Sequence, residues 1–221
     1  MTSSAATTTF DIAPGPNERQ TRQRLEEWFP QLVREPGLHA RFVNTLSMLE
    51  HIGSVKIART RSGMGITTDV LEHLAEETRH AFYLKRLAKK IDAEVDESYG
   101  ESWLLEGAAA RGYFARLDVA ARRFAREHLS ADEQADAPYL LVSWLVERRA
   151  MWLYPAYQEA LLDLGRGYSV RTIVNDEADH LAEMVAGLEE RNLTRHPALP
   201  DLVAEEESLF AKFSRKMMAQ E

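Results

Sequence analysis

The 221-residue chain contains no cysteine. That excludes disulfides, zinc ribbons, thiolate-held iron–sulfur clusters and cysteine nucleophiles, and it fits a reducing compartment. Glycine and proline are scarce, at 11 and 8 residues, so helix formers run with few interruptions. Nowhere do apolar and polar residues alternate long enough for a strand. No apolar run approaches the ~18 residues of a membrane span, and the N-terminus lacks a charged-then-apolar signal pattern. A basic excess is missing too: 27 Lys and Arg stand against 35 Asp and Glu, a net charge of -8. Binding to nucleic acid through a basic surface is therefore disfavoured. The expectation is an all-α, cytoplasmic protein.

Residues 1–16 form a Thr/Ser/Ala tract ending in Ala13-Pro14-Gly15-Pro16 and read as a disordered N-terminal arm. Residues 17–221 read as a single helical domain. Helices are predicted at about 18–29, 38–60, 67–91, 100–128, 137–164, 169–191 and 199–218. Pro36-Gly37, Ser62-Gly63-Met64-Gly65 and Gly165-Arg166-Gly167 supply the breaks, and Ser169 is a candidate N-cap. Pro155 falls inside the fifth helix and should bend it. Four long helices are enough to enclose a core, so the architecture expected is a bundle.

Two Glu-x-x-His words relate the two halves: Glu77-Thr78-Arg79-His80 and Glu177-Ala178-Asp179-His180. Residues three apart share a helix face, so each word points one carboxylate and one imidazole the same way. The neighbours give the words their weight. Val70, His73, Leu74, Ala81 and Leu84 share the face of Glu77; Val170, Ile173, Val174, Leu181 and Met184 share that of Glu177. Both glutamates sit inside apolar stripes, whereas Glu76 and Asp179 have charged and polar neighbours. Glu50 and Glu147 behave like the first pair. Val43, Leu46 and Ile57 flank Glu50, and Leu140, Trp144, Met151 and Tyr154 flank Glu147.

Four buried carboxylates without compensation are untenable, since one unpaired buried charge already costs several kcal/mol. Two divalent cations would neutralise them, and mixed carboxylate and imidazole ligands suit iron or manganese. Two lone glutamates plus two Glu-x-x-His words make up the ligand set of a carboxylate-bridged dimetal site in a bundle core. Glu50 and Glu77 are equidistant from the turn near Gly63. Glu147 and Glu177 are offset about the turn at Gly165–Gly167 by about eight residues, or ~12 Å of helix rise.

The order Glu50, Glu77-x-x-His80, a crossover, Glu147, Glu177-x-x-His180 resembles the ferritin-like superfamily of di-iron carboxylate proteins over residues 38–191. The resemblance implies a ferritin-like four-helix bundle with an extra helix in the crossover and flanking N- and C-terminal helices. It implies two Fe ions, with Mn/Fe or Mn/Mn as alternatives. Glu50, Glu77 and His80 would bind one ion, Glu147, Glu177 and His180 the other, and Glu77 and Glu177 would bridge. Asp176 and Glu76 directly precede the Glu-x-x-His glutamates and by the same resemblance would each orient the opposite histidine. Solvated acids are the alternative for both.

The long segment 81–146, with its own helix, is similar in scale to that of small di-iron oxygenases. Leu84 stands where ribonucleotide reductase small subunits usually carry a tyrosine. The activity implied is an oxidase or oxygenase that uses dioxygen on a small apolar organic substrate, with an external electron donor and a possible homodimer. The rivals are an iron-handling ferroxidase, or a ferritin- or rubrerythrin-like peroxide-detoxifying protein, and a bundle without catalysis. Trp144, Met151, Tyr154 and Tyr83 read first as packing. His73 reads as a packed core histidine, with an extra ligand or proton relay as the alternative. His51 and the strip Arg116–Arg126 read as surface.

Overall fold

The computed structural model describes residues 10, 12–60, 66–96 and 98–220. Among them all regular structure is helical, as composition demanded. Seven α-helices follow one another: α1 Pro16–Leu32, α2 Pro36–Thr60, α3 Thr68–Ile91, α4 Gly107–His128, α5 Ala137–Asp163, α6 Arg171–Glu190 and α7 Leu199–Met218. Among the described residues no helix is long and apolar enough to cross a membrane.

Helix α2 packs along α3 and α5 along α6, while contacts of α2 with α5 and of α3 with α6 join the two pairs. Helices α1 and α4 cover the outer side of α5, and α7 packs on both and reaches α5 through Glu206 and Phe210. Its position explains why buried residues occur on every face of α5 between Ala137 and Leu161. The helix continues through Pro155. Helix α3 carries its own end signals. Thr67 accepts from the Val70 N–H, Asp69 lies in the first turn, and Lys89 and Lys90 lie in the last.

Two registers place the site. Ser47 Oγ donates to the Ala81 carbonyl at 2.6 Å, so Glu50, three residues on, lies level with Glu77, four residues back. The turn expected at Ser62–Gly65 lies largely outside the described residues. The second pair solves the offset of Glu147 and Glu177 by a returning connection. Gly165, at φ 62°, ends α5 while the Arg166 N–H bonds the Leu161 carbonyl at 2.9 Å, closing the helix with a left-handed glycine. The chain then runs back beside α5, where the Val170 N–H donates to Gln158 Oε1 at 2.7 Å and Ser169 Oγ donates to the same atom at 3.0 Å. Most of the mismatch is absorbed before α6 begins. Ser169 is not the N-cap; that position is Val170, although Ser169 Oγ still accepts from the Arg171 N–H at 3.3 Å.

The crossover departs from the single helix expected at 100–128. A 3-10 turn at Glu101–Trp103 and a break at Glu106, φ 58°, precede α4. Tertiary bonds hold this left-handed residue in place. Leu105 N–H donates to Thr45 Oγ1 at 2.8 Å, and the Arg41 guanidinium donates to the Leu104 carbonyl. Both leucines are thereby buried against α2. Most of the proposed arm lies outside the described residues. Within the remainder, the Phe10 ring lies 5.7 Å from that of Trp144, and Ile12 O accepts from Arg148.

Candidate metal centre

Glu77, Glu147, Glu177, His73, His80 and His180 are all between 1 and 5 % exposed, and Glu50 is partly buried beside them. Their ligating atoms form two clusters sharing Glu77: Glu50, Glu77, His80 and Glu177 in one, and His73, Glu77, Glu147 and His180 in the other. Within each cluster every ligating atom lies within 4.8 Å of the others. The six residues expected from the sequence thus meet in one place, and either cluster could hold a metal ion.

The two Glu-x-x-His words occupy equivalent environments. Burial along 71–80 repeats residue for residue along 171–180, so the likeness of the words extends to packing. Their outer bonds are crossed. His80 Nε2 lies 3.0 Å from Asp176 Oδ2, and His180 Nε2 lies 2.9 Å from Glu76 Oε2. Arg79 bonds both acids, at 3.0 Å to Glu76 and 3.3 Å to Asp176. With Nε2 taken up on the outside, each imidazole presents Nδ1 to the carboxylates. His180 Nδ1 is 3.0 Å from Glu177 Oε2, and His80 Nδ1 is 3.3 Å from Glu177 Oε1.

Buried acids occur elsewhere in the fold, but their partners differ in kind. Glu206, fully buried, is bonded by the Arg149 guanidinium and by the Tyr113 hydroxyl. Glu18 is paired with Arg148. Among the described residues, no arginine or lysine is bonded to Glu50, Glu77, Glu147 or Glu177; their partners are imidazoles, one another and Tyr154, whose hydroxyl donates to Glu50. Two imidazole nitrogens aimed at the cluster, His73 Nε2 and His80 Nδ1, are buried without a hydrogen-bond partner. Four carboxylates short of cations and two orphaned ring nitrogens are the donor set a pair of divalent ions would complete.

Protons take up the charge when cations are absent. Burial pushes Glu50 well above the usual carboxylate range, and repulsion from Glu77 and Glu177 adds to it. Glu147 is raised likewise by burial and by the charges of Glu177 and Glu77. Each hydrogen-bonds a neighbour, Glu50 with Glu77 and Glu147 with Glu177. Burial also opposes charge on Glu177, but its hydrogen bonds to His180 and Glu147 and the nearby His80 imidazole prevail and hold it well below the usual range. Burial disfavours the imidazolium of His180, yet hydrogen bonds to Glu177 and Glu76 lift its pKa to about 9. His80 is raised by Glu177 and Asp176 against the same burial.

Beside the acids opens a cavity of about 80 Å³. Glu50, His73, Glu77, Glu147 and Glu177 form its polar end; Leu46, Ile57, Phe114, Val142 and Leu153 are among its apolar walls. Tyr154 lines it, whereas Trp144 packs against Phe10. Tyr83 bonds the Ser169 carbonyl near the surface. His51 is exposed and stacks on Tyr99, and Arg116, Arg122, Arg123 and Arg126 face solvent, as expected. His73 is the residue whose position the sequence reading underestimated. Its ring stacks 4.0 Å from that of His180, with Nε2 3.5 Å from Glu77 and 3.7 Å from Glu147.

Gly53 has a specific reason to be in the interior of α2, where glycine costs roughly 0.5–1 kcal/mol against alanine. A Cβ there would stand 3.2 Å from Glu77 Oε2. Gly53→Ala is expected to leave the metal-free melting temperature unchanged or slightly raised while shifting Glu77 and weakening metal uptake severalfold. Calorimetric titration with Mn2+ reads the second effect; unchanged affinity would mean that Glu77 is not a ligand.

Comparison with protein-family models, with curated proteins and with solved structures finds no match to the chain in any of the three.

Proposed function

We propose that the four glutamates and the histidines form a carboxylate-bridged dimetal centre of the ferritin-like kind, and that the protein is an oxidase or oxygenase acting on a small apolar organic substrate. The observation that carries this reading is the convergence of three buried carboxylates and the partly buried Glu50, none bonded to an arginine or lysine among the described residues, beside a largely apolar cavity. Glu50 and His80 would hold one Fe or Mn ion and Glu147 and His180 the other, with Glu77 and Glu177 shared between the two. When bound, such a pair supplies the electrons that reduce dioxygen.

The chain's own residues do the remaining work. Asp176 and Glu76 fix the orientation and tautomer of His80 and His180 through Nε2, leaving Nδ1 for the centre. Tyr154 holds a proton against Glu50, and burial of the phenol beside that acid keeps the hydroxyl protonated. The walls of Leu46, Ile57 and Leu153 exclude water from the space in which a substrate would lie against the carboxylates. Reducing equivalents would come from an external donor.

The test is single-turnover oxidation of the Fe(II)-loaded protein in the presence of fatty aldehydes, fatty acyl compounds or aromatics. The account predicts oxygen consumption that depends on one of these classes and yields an oxidised product. Oxygen uptake indifferent to all of them, together with iron loading far above two per chain in a large symmetric cage, would favour ferroxidase or peroxide-detoxifying activity instead.

A further inference from the structure

We propose that His73 is a third imidazole ligand, which makes the two metal positions chemically unequal, one nitrogen-rich and one carboxylate-rich. The inference deepens the reading of this cluster as a dimetal centre and rests on it.

The argument starts from a broken symmetry. Helices α3 and α6 present the same pattern of buried and exposed residues over 71–80 and 171–180. Glu77 matches Glu177, His80 matches His180, and Glu76 matches Asp176. At the third position of these stretches the match fails: α3 carries His73 where α6 carries Ile173, and both side chains are buried. A buried histidine serving only as packing would bond its nitrogens to nearby groups. His73 Nε2 has no such partner, and it faces Glu77 and Glu147 from 3.5 and 3.7 Å, too far for hydrogen bonds. Those are the separations of groups sharing an ion rather than a proton.

The consequence is a division of donors. His73 and His180 stand with Glu77 and Glu147, giving two nitrogens and two carboxylates. His80 stands with Glu50, Glu77 and Glu177, giving one nitrogen and three carboxylates. Imidazole nitrogens favour the later divalent ions such as Fe2+, Co2+ and Zn2+, whereas carboxylate oxygens suit Mn2+. The position at His73 and His180 therefore takes the first equivalent of a later ion, and the position at Glu50 takes the second.

The test uses full-length protein stripped with chelator and titrated anaerobically with Co2+ alone. Calorimetry follows uptake, and proton NMR counts the solvent-exchangeable, paramagnetically shifted ring N–H signals of bound imidazoles. Wild type is expected to bind two equivalents in two steps at least about tenfold apart and to show three such signals. His73→Ala and the more conservative His73→Gln should lose one signal and weaken the tighter step by about 10–100-fold or more, the lower range being what loss of a ligand's supporting partner costs. His51→Ala, outside the cluster, should change neither. Two signals in wild type, or two steps of equal affinity, would overturn the proposal without need of any variant. Absence of Co2+ uptake would overturn the dimetal centre as well. Three signals in a protein whose iron form consumes no oxygen would uphold the role of His73 and contradict the oxidase reading alone.

Discussion

Loading with Fe2+ or Mn2+ is expected to raise the melting temperature by about 8–16 °C, and the gap between loaded and chelated protein should widen as pH rises from 6 to 9. A ligand present at a thousand times its dissociation constant stabilises the native state by about 4 kcal/mol. In a protein of this size each kcal/mol moves the midpoint by about 2–4 °C. The pH dependence follows from the metal-free centre. Glu50 and Glu147 are raised by burial and by the neighbouring carboxylates, and His180 is raised to about 9. Groups whose pKa is higher folded than unfolded stabilise the fold fully below the unfolded value and lose that contribution as pH climbs through the folded one. For His180 the window runs from about 6.5 to about 9, and the two raised acids act in the same direction from the ordinary carboxylate range upward. Glu177, held low, has its contribution in place throughout this window and loses it as pH falls below the ordinary carboxylate range. The chelated protein therefore weakens with rising pH. Metal binding, which needs the same groups deprotonated, strengthens and releases protons. Thermal melts at pH 6, 7.5 and 9, with and without chelator, check both signs. Melting independent of metal at every pH would contradict the account.

Glu147→Gln and Glu206→Gln should behave as opposites although both glutamates are buried on neighbouring helices. Burial and the neighbouring carboxylates favour the protonated form of Glu147 when no metal is bound, so glutamine is close to its isostere. The variant should melt near the chelated wild type, with a flatter pH dependence. It should bind metal at least about 100-fold more weakly, beyond the 10–100-fold lost when only a ligand's partner is removed. Glu206→Gln removes the charge that compensates Arg149 in a dry environment. Breaking a buried pair in this way costs about 3–5 kcal/mol, so this variant should melt far lower yet bind metal with unchanged affinity per folded molecule. Calorimetric titration and melting of the two variants side by side read the crossover. If Glu147→Gln destabilised the chelated protein as much as Glu206→Gln, the acid would be structural.

The same contrast shows how far the sequence could be read. An acid inside an apolar stripe identified Glu50, Glu77, Glu147 and Glu177, yet Glu206 also lies in such a stripe, among Leu202, Val203, Leu209 and Phe210. What separates them is the cation supplied by another helix, and no periodicity within one helix reports that. Helix positions were legible because apolar spacing and breaks act locally. The crossover was not, since the turn at Glu106 is set by bonds from Arg41 and Thr45, some sixty residues away in sequence. The apparent misalignment of Glu147 and Glu177 had the same origin. Counting residues to a turn assumes that the connection is tight, and Gln158 instead draws the chain back along α5 before α6 starts. His73 was visible one turn before Glu77, but a lone histidine on an apolar face has no partner written into the sequence. Only the packing of α3 against α5 and α6 brings Glu147 and the His180 ring to that histidine.

The most direct test is anomalous X-ray scattering, at the iron and manganese edges, from crystals of protein purified without chelators and soaked anaerobically in Fe2+ or Mn2+. The account predicts two anomalous peaks enclosed by α2, α3, α5 and α6, both within coordination distance of Glu77 and each touched by at least one imidazole. Peaks confined to the molecular surface, with Glu50, Glu77, Glu147 and Glu177 still bonded to one another by shared protons, would contradict it.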